Sequence, residues 1–301
     1  MKNKFKLGYI GLGKMGFNMI ERLIEKGNEV VVNDIRPDSI ERATRMGAIP
    51  AYCLEELVEN LSSPRLVWLM VPNSALDGVL DKLIPILSEG DTVIDGGNTR
   101  YIETQSRVSL FEDKRINFLD IGVSGGPNGA RKGACLMIGG KKNIYEKYEN
   151  LFIDIAAPEA YGYFGDHGAG HFVKMVHNGI EYGMMQAIAE GFGVLKESEF
   201  NLDLKKVAEV YNNKSVIESR LVNWLSSGYQ KYGTELEGIS GSVSHTGEGL
   251  WTIEAAKKIG VPTPVIEESL KFREDSIAKP SYTGKVLAVL RNMFGGHSIS
   301  N

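Results

Sequence analysis

The sequence predicts an α/β domain with a doubly wound, mostly parallel sheet, followed by an all-α domain. Short apolar runs alternate with helical patterns up to about residue 165, and long helical patterns follow. The first apolar run ends in a glycine-rich turn that leads directly into a helix. Continuous apolar strands that alternate with helices are typical of parallel sheets covered on both faces. We therefore expect two domains, at residues 1–165 and 166–301.

The composition restricts the class of partner. The net charge of -4 gives no basic footprint, so we expect neither nucleic acid nor a membrane surface as a partner. Cys53 and Cys135 lie far apart without metal-ligand spacing, which favours a reducing compartment and no metal site. The N-terminus lacks an apolar signal core, and no apolar run approaches the roughly 20 residues that span a bilayer. We expect a cytoplasmic protein.

The first strand, turn and helix predict a nucleotide site. Residues 7–10 form the apolar run, and the helical stretch NMIERLIEKG follows the turn. The turn is a GxGxxG motif, in which the glycines allow the turn, the approach of a pyrophosphate and close packing of helix and strand. This context predicts a Rossmann-type dinucleotide-binding domain. We expect the cofactor to contact the turn residues Gly11, Leu12, Gly13, Lys14, Met15 and Gly16.

The end of the second strand bears on the choice of cofactor. The run EVVVND ends at Asp34, where this fold places an acid that accepts hydrogen bonds from the adenosine ribose. A carboxylate there repels a 2′-phosphate, which predicts NAD. Arg36 leaves room for NADP because an arginine nearby could hold that phosphate. Its alternative interpretation is a solvated loop charge beside Pro37.

Further apolar runs predict four more strands, at 66–71, 92–97, 117–123 and 135–140. Three of them end in polar or glycine-rich loops, VPNS, DGGNT and VSGGPNGA. Ligands bind at the carboxyl ends of strands in such sheets, so these loops should form the floor of the site. We expect Met70 and Val71 to contact the cofactor. Asn98 and Ser124 are the candidate polar groups, although either could serve turn chemistry alone.

Helices are predicted in the second half at 169–197, 203–227, 248–259 and 263–279. The first of these is apolar nearly all round, but one face carries the polar stripe Lys174, His177, Asn178 and Glu181. A lone Lys or His on an apolar face is more often structural than catalytic. A structural ion pair prefers i,i+4, however, whereas i,i+7 leaves roughly 10 Å along the axis. That gap can hold a small substrate, so the stripe predicts a functional site.

Five motifs together resemble the 6-phosphogluconate dehydrogenases over residues 7–297: GLGKMG, DGGNT, VSGGPNGARKG, GHFVKMVHNGIEYGMMQ and RNMFGGH. The first three are shared with the wider β-hydroxyacid dehydrogenases, including 3-hydroxyisobutyrate dehydrogenases. The stretch KMVHNGIEYG and the FGGH tail are far more specific. At 301 residues the chain resembles the short form, which lacks the extra helical repeat of the longer, usually NADP-linked enzymes.

The resemblance implies oxidative decarboxylation of 6-phosphogluconate to ribulose 5-phosphate and CO2, as in the pentose phosphate pathway or gluconate utilization. It implies that Lys174 takes the C3 hydroxyl proton as general base and then polarises the keto oxygen. A lysine acts as a base near neutral pH only if its pKa is lowered, and burial in an apolar helix does this. Glu181 then protonates the enediol. The reaction implies no metal.

The resemblance also implies the substrate contacts. The carboxylate and hydroxyl groups should meet Ser124, Gly125, Gly126, His177 and Asn178, with Asn98 near both substrate and nicotinamide. The 6-phosphate should lie among Tyr182, Arg273, Arg291 and His297. The sequence departs from the longer enzymes at Thr246, where they have a phosphate-binding lysine. It also has Asp34-Ile35-Arg36 in place of their NADP-binding Asn-Arg-Thr, which supports NAD.

The tail loses its helical period at Gly295-Gly296, yet still carries Arg291 and His297. Terminal residues are usually disordered unless docked, and the resemblance implies that this tail reaches into a neighbouring subunit. We therefore expect a homodimer, or a homotetramer built from dimers, in which the tail completes the partner's site.

Two other functions remain open at this point. An NAD-dependent 3-hydroxyacid dehydrogenase acting without decarboxylation, like the 3-hydroxyisobutyrate enzymes, would need neither Glu181 nor a phosphate cluster. A non-catalytic NAD-binding sensor would be expected to lack Lys174 or Glu181, and both are present.

Overall fold

The computed structural model describes residues 4–299, and the contacts divide the chain after Met175 into two compact units. The predicted boundary at 165/166 lies before the long helix that opens the second half, whereas this division falls inside that helix.

The first unit is built on one sheet of eight strands: β1 (Lys6–Ile10), β2 (Glu29–Asn33), β3 (Ile49–Pro50), β4 (Leu66–Leu69), β5 (Thr92–Asp95), β6 (Asn117–Ser124), β7 (Ala134–Gly140) and β8 (Ala156–Gly165). The strand order is β3-β2-β1-β4-β5-β6-β7-β8. All neighbouring strands are parallel except β6 and β7. This topology confirms the predicted doubly wound, mostly parallel sheet.

Seven helices of the first unit connect these strands: α1 (Lys14–Glu25), α2 (Pro37–Thr44), α3 (Leu54–Glu59), α4 (Asn73–Leu83), α5 (Tyr101–Glu112), α6 (Gly126–Lys132) and α7 (Lys142–Ile155). They cover both faces of the sheet, because alternate strand residues enter two separate apolar clusters. Val30 and Val32 pack into one cluster and Val31 into the other. Burial of each such side chain stabilises the fold by about 1.5–3 kcal/mol.

The remaining helices are α8 (Ala169–Lys196), α9 (Leu204–Tyr211), α10 (Arg220–Tyr232), α11 (Glu248–Lys258), α12 (Pro264–Ser276) and α13 (Tyr282–Gly295). Between 176 and 299 the structure contains no strand, which confirms the predicted all-α second half. The main core of this unit includes Phe192, Leu225, Tyr229 and Leu290, all buried. None of the helices within 4–299 is both long and apolar enough to cross a membrane.

Two sequence predictions were incomplete or wrong. The strands β3 and β8 were not predicted, because β3 has two residues and β8 is an edge strand interrupted by Pro158 and Gly162. The single helix predicted at 203–227 is two helices. Turn-forming residues end α9, Lys214 has a φ of +58°, and the Ser219 side chain caps α10 by accepting the Val222 N–H.

Candidate active site

Three glycines shape the turn between β1 and α1. Gly11 has a φ of +101°, and a Cβ added there would clash with the carbonyl oxygen of Met70. A Cβ at Gly16 would clash with the carbonyl oxygen of Gly11, so this glycine lets α1 pack close to the turn. A Cβ added at Gly13 would have no atom within 4 Å. Gly13 is also the N-cap residue of α1, and no side chain caps the helix there. The first amides of α1 are therefore arranged as helix N-termini are in sites that bind phosphate groups.

The other predicted cofactor residues lie around this turn. Leu12 is buried at 3 % exposure, and its side chain packs in the core of the first unit. Lys14 begins α1 and is exposed, and Met15 is half-buried. Met70 follows β4, and its N–H donates to Ile10 at 2.8 Å. The turn after β1 and the Met70–Val71 segment thus meet at the carboxyl ends of adjacent strands.

Asp34 is tied to the glycine-rich turn. Its Oδ2 accepts the Leu12 N–H at 2.6 Å, while Oδ1 accepts the backbone N–H of Arg36 at 2.9 Å. The Arg36 side chain, 60 % exposed, also lies over this carboxylate, with Nε 3.2 Å from Oδ1 and Nη2 3.2 Å from the Leu12 carbonyl oxygen. Asp34 therefore holds the glycine-rich turn through its carboxylate. Arg36 is paired with Asp34 and is not simply a solvated loop charge.

A buried aspartate shapes the loop that carries Asn98. Asp95 ends β5 at 1 % exposure, and it accepts the Gly97 N–H at 2.9 Å and the Thr99 hydroxyl at 2.8 Å. Asn98 itself is exposed between these two anchored positions. The loop is thereby held in one shape at the carboxyl end of β5, with the Asn98 side chain outside the core.

A second buried aspartate anchors the start of α8. Asp120 pairs in register with Asp95 and is fully buried. Its two oxygens accept the N–H groups of Gly168 at 2.8 Å and His171 at 2.9 Å. A carboxylate at a helix N-terminus is stabilised both by these hydrogen bonds and by the helix dipole. Asp120 therefore fixes the helix that carries Lys174 to strand β6.

Gly122 gives Lys174 its place on β6. A Cβ at Gly122 would clash with Lys174 Cβ and would lie 2.9 Å from Lys174 Cγ. Ser124, the last residue of β6, is two positions further along the strand and shares the face of Gly122. The next two residues, Gly125 and Gly126, have φ of +123° and +63°. Lys174 thus packs on the strand that leads into the Ser124-Gly125-Gly126 loop.

The second unit carries the rest of the polar stripe of α8. His177 Nδ1 lies 2.9 Å from Asn178 Oδ1 and 4.0 Å from Glu181 Oε2. Asn178 Nδ2 donates to Glu248 Oε1 at 3.1 Å. Glu248 is the first residue of α11 and is 6 % exposed. The stripe therefore meets a further carboxylate that the sequence analysis did not single out.

Two buried arginines lie at the far end of the stripe. The Arg273 guanidinium stacks 3.4 Å above the ring centre of Tyr182, which is itself buried. Arg273 is 2 % and Arg291 8 % exposed. Burial lowers the pKa of Arg273 to about 10 and also lowers the pKa of Arg291. The Tyr182 hydroxyl accepts the Thr246 N–H at 3.4 Å, which places Thr246 beside this cluster.

The described part of the tail docks on its own unit. Ser240 N–H donates to the Ile299 carbonyl at 2.8 Å, and Asn292 Nδ2 donates to the His297 carbonyl at 2.7 Å. Arg291 Nη1 lies 3.4 Å from Ser244 Oγ. These segments border an open pocket of about 240 Å³, lined by Ser240, Ser242, Ser244, Ile277, Ala288, Arg291, His297 and Ser298.

Sequence reasoning missed the anchoring residues Asp95, Asp120 and Glu248. An acid inside an otherwise apolar strand, as in TVIDGG and FLDIGV, is a signal that could have found the two aspartates. No local pattern marks Glu248, because its role depends on the packing of α11 against α8. Residues 4–299 contain no group of three His, Cys, Asp or Glu side chains that could hold a metal ion.

Comparison with known proteins identifies the family. Residues 6–165 match the model of the NAD binding domain of 6-phosphogluconate dehydrogenase, and residues 170–295 match the model of its C-terminal domain. The YqeC protein of Bacillus subtilis is 44 % identical over 97 % of this chain and 98 % of its own length. The NAD(+)-dependent, decarboxylating 6-phosphogluconate dehydrogenase of Haloferax volcanii is 39 % identical over 98 % of both chains.

Solved structures agree with this assignment. The 6-phosphogluconate dehydrogenase of Plasmodium falciparum superposes with a TM-score of 0.80 at 31 % identity, over 91 % of this chain and 62 % of the larger one. The 3-hydroxyisobutyrate dehydrogenase of Mycobacterium tuberculosis, with a TM-score of 0.75 at 18 % identity over 96 % of this chain and all of its own, shares the fold alone. The chain belongs to the 6-phosphogluconate dehydrogenase family.

Proposed function

We propose that the chain oxidises and decarboxylates 6-phosphogluconate to ribulose 5-phosphate and CO2, with NAD as hydride acceptor. The observation that carries this proposal is the pair of buried arginines, Arg273 and Arg291, beside Tyr182 on the helix that bears the polar stripe. A small non-phosphorylated 3-hydroxy acid has no group that requires them. A phosphate does, because guanidinium groups bind it in bidentate geometry.

NAD fits the first unit. The uncapped N-terminus of α1 and the open side of Gly13 suit a pyrophosphate, and Asp34 offers a carboxylate to the ribose. When bound, NAD supplies the acceptor for the hydride that leaves C3. Because Arg36 lies over Asp34, part of the repulsion of a 2′-phosphate is neutralised, so NADP is the weaker cofactor but not an excluded one.

Lys174 carries the first proton transfer of the proposed reaction. It takes the C3 hydroxyl proton, then as an ammonium group donates a hydrogen bond to the resulting keto oxygen. The electrons of the C1–C2 bond can then move towards that oxygen as CO2 departs. Glu181 protonates the terminal carbon of the enediol that remains, which becomes C1 of ribulose 5-phosphate.

The remaining site residues position the substrate. Ser124, His177 and Asn178 hold the carboxylate and hydroxyl groups, and Asn98 lies where substrate and nicotinamide meet. Tyr182 and the arginine pair receive the 6-phosphate, together with His297. Thr246 places a backbone N–H at this cluster but has no positive charge. The two arginines therefore supply the positive charge for the phosphate, to which a lysine contributes in the longer enzymes.

We also infer a homodimer, or a tetramer built from dimers, in a reducing cytoplasm. A second face of α8 carries an apolar stripe, defined by Ile180, Met184, Ala187, Gly191 and Val194, all exposed. Its alternating spacing of four and three residues is that of helices that pack along one another. It lies about a third of a turn from the polar stripe, so a partner helix would leave that stripe clear. A second copy of the chain is the partner that this stripe fits.

A substrate and cofactor panel tests the proposed reaction. Purified protein is mixed with 6-phosphogluconate, gluconate or 3-hydroxyisobutyrate, each with NAD and with NADP, while absorbance at the nicotinamide band is followed. Of the three acids, we expect only 6-phosphogluconate to be oxidised. We expect its oxidation to be faster with NAD than with NADP. Turnover of 3-hydroxyisobutyrate without 6-phosphogluconate activity would establish the non-decarboxylating alternative, and no turnover with any acid would favour the sensor.

Subunit mixing tests whose tail serves which site. The described contacts of Arg291 lie within its own unit. The tail must therefore leave these contacts if Arg291 is to bind substrate in the site of a partner subunit. An Arg291→Ala chain is mixed with a Lys174→Ala chain, and exchange of subunits is verified by mass. Restored activity would show that the tail completes a partner's site. Only in that arrangement does one site of the hybrid dimer combine an intact Lys174 from one chain with an intact Arg291 from the other. A mixture as inactive as its parents would place Arg291 in its own subunit's site.

A further inference from the structure

Glu248 is held firmly against the polar stripe of α8. Its Oε1 accepts the Asn178 amide at 3.1 Å, and the two helices approach closely around it. A Cβ at Gly179 would lie 2.6 Å from Thr252 Cγ2, and a Cβ at Gly249 would lie 2.6 Å from Tyr182 Cε2. Contacts this close leave little freedom for the first turn of α11. The Glu248 carboxylate therefore has a defined position in the substrate half of the molecule.

The charges around it are unusual for a buried site. Arg273 and Arg291 are both buried, and the charge of Arg291 adds to burial in lowering the pKa of Arg273. The charges of Glu181 and Glu248 act in the opposite direction on the pKa of both arginines. Buried cations are costly unless anions balance them. The packing places Glu248 near this cluster, because its chain neighbour Gly249 packs against the ring of Tyr182, on which the Arg273 guanidinium stacks at 3.4 Å. Two carboxylates therefore act on two guanidinium groups, and one of those carboxylates, Glu248, has no step in the proposed reaction.

We propose that Glu248 is a specificity-determining residue: it is the resident counter-ion of the Arg273–Arg291 pair and competes with the substrate's phosphate for that pair. The inference rests on the proposed function, since it takes the arginines as the phosphate site. When the site is empty, the carboxylate stabilises two cations that would otherwise repel each other. When a phosphate arrives, the same negative charge weakens its binding, which favours release of the phosphorylated product.

The isosteric variant Glu248→Gln separates this role from a structural one. Glutamine keeps the volume and an oxygen that can accept the Asn178 amide, but it removes the charge. We expect the melting temperature to fall, because the arginine pair loses a counter-ion. We expect the Kd for inorganic phosphate and the KM for 6-phosphogluconate to fall by about threefold to tenfold. A residue that only supported the fold would weaken stability and phosphate binding together.

The matched control is Glu254→Gln on the same helix. Glu254 is exposed and six residues further along α11, so this change removes the same charge from the solvated side. Phosphate binding, measured by titration calorimetry at fixed ionic strength, should match that of the wild type. If Glu248→Gln does not fold, Glu248→Thr serves as a second variant, because threonine is smaller and uncharged. We expect it to bind phosphate more tightly than the wild type by a similar factor.

The inference would be overturned if the uncharged variants bound phosphate no more tightly than the wild type. An equal gain in the Glu254→Gln control would also overturn it, because it would reflect net charge alone. The calorimetric measurement needs no turnover, so failure of the proposed reaction is seen separately. If the wild type binds phosphate but does not oxidise 6-phosphogluconate, the proposed reaction is contradicted. The counter-ion role of Glu248 is then still decided by the phosphate titrations of the variants.

Discussion

The two units leave very different surfaces. Among the described residues, 5 of the 18 exposed large hydrophobic side chains lie before residue 176 and 13 lie after it. The first unit buries its apolar residues in two clusters, one on each face of the sheet, and helices cover both. The second unit buries its main core between helices and leaves more large apolar side chains exposed. The comparison places most of the exposed apolar surface on the helical unit, which is the unit that carries the proposed dimer interface.

The units also bury charge in different ways. In the first, Asp95 and Asp120 are satisfied by N–H and hydroxyl groups of their own neighbourhood, so buried charge fixes loops and a helix end. In the second, Arg273 stacks on Tyr182, and the charges of Glu181 and Glu248 oppose the lowering of its pKa by burial. Buried charge supports the architecture of the first unit, whereas we propose that it receives an anion in the second. Substitutions in either unit can alter one side of this contrast.

The largest effect is expected from Lys174→Ala. Loss of a general base costs about a hundredfold to ten-thousandfold in rate, so kcat should fall to that extent. NAD binding should stay within about twofold of the wild type, because the Gly11 turn is untouched. Stopped-flow absorbance gives the first quantity and calorimetry the second. Retention of more than a few per cent of the turnover would remove Lys174 from its proposed role.

Gly122→Ala should act on the same lysine from the strand beneath it. The new methyl group must displace Lys174, since it would clash with Cβ and lie 2.9 Å from Cγ. Displacement of a reacting group by about 1 Å can cost a hundredfold, and we expect kcat to fall by about tenfold to a hundredfold. The control is Gly78→Ala in α4, where an added Cβ has no neighbour within 4 Å and should stabilise the helix. Equal kcat in both variants would contradict the close packing of Lys174 on β6.

The apolar stripe of α8 should govern assembly. Met184→Glu places a charge on the stripe, and light scattering should show the dimer mass shifting towards the monomer. The matched control is Leu110→Glu in the first unit, because the two side chains are exposed to nearly the same extent, 45 % and 46 %. Its mass should not change. A monomeric wild type would contradict the proposed dimer. Dissociation by the control alone would place the interface away from α8.

Asp34→Asn should give the smallest effect. Removing the carboxylate relieves the repulsion of a 2′-phosphate, so the ratio of kcat/KM for NADP to that for NAD should rise by about threefold to tenfold. Because Asp34 also accepts the Leu12 N–H at 2.6 Å, both cofactors should bind somewhat less tightly. Steady-state kinetics with each cofactor measures both changes. An unchanged ratio would mean that Arg36 already decides the preference.

The sequence was informative wherever a residue's role depends on its chain neighbours. The glycine-rich turn, the apolar strands and the helices α8, α11 and α12 follow from local period and turn chemistry, and the fold class was confirmed. The edge strand β8 and the break between α9 and α10 were not predicted, because edge pairing and caps override weak periodicity. Asp120 stands out in the sequence only as an acid inside an apolar strand, and its hydrogen bonds to α8 are visible only in the structure. Glu248 depends on a contact between distant segments that no local pattern reveals.

The ratio of CO2 to NADH tests the central claim most directly. The claim is that the arginine pair and Glu181 turn a general 3-hydroxy acid oxidation into a decarboxylation of a phosphorylated substrate. Protein, NAD and 6-phosphogluconate labelled at C1 are mixed, and labelled CO2 is trapped while NADH is followed by absorbance. The account predicts one CO2 for each NADH throughout the reaction. NADH formed without stoichiometric CO2 would contradict it and would leave oxidation alone as the function of the site.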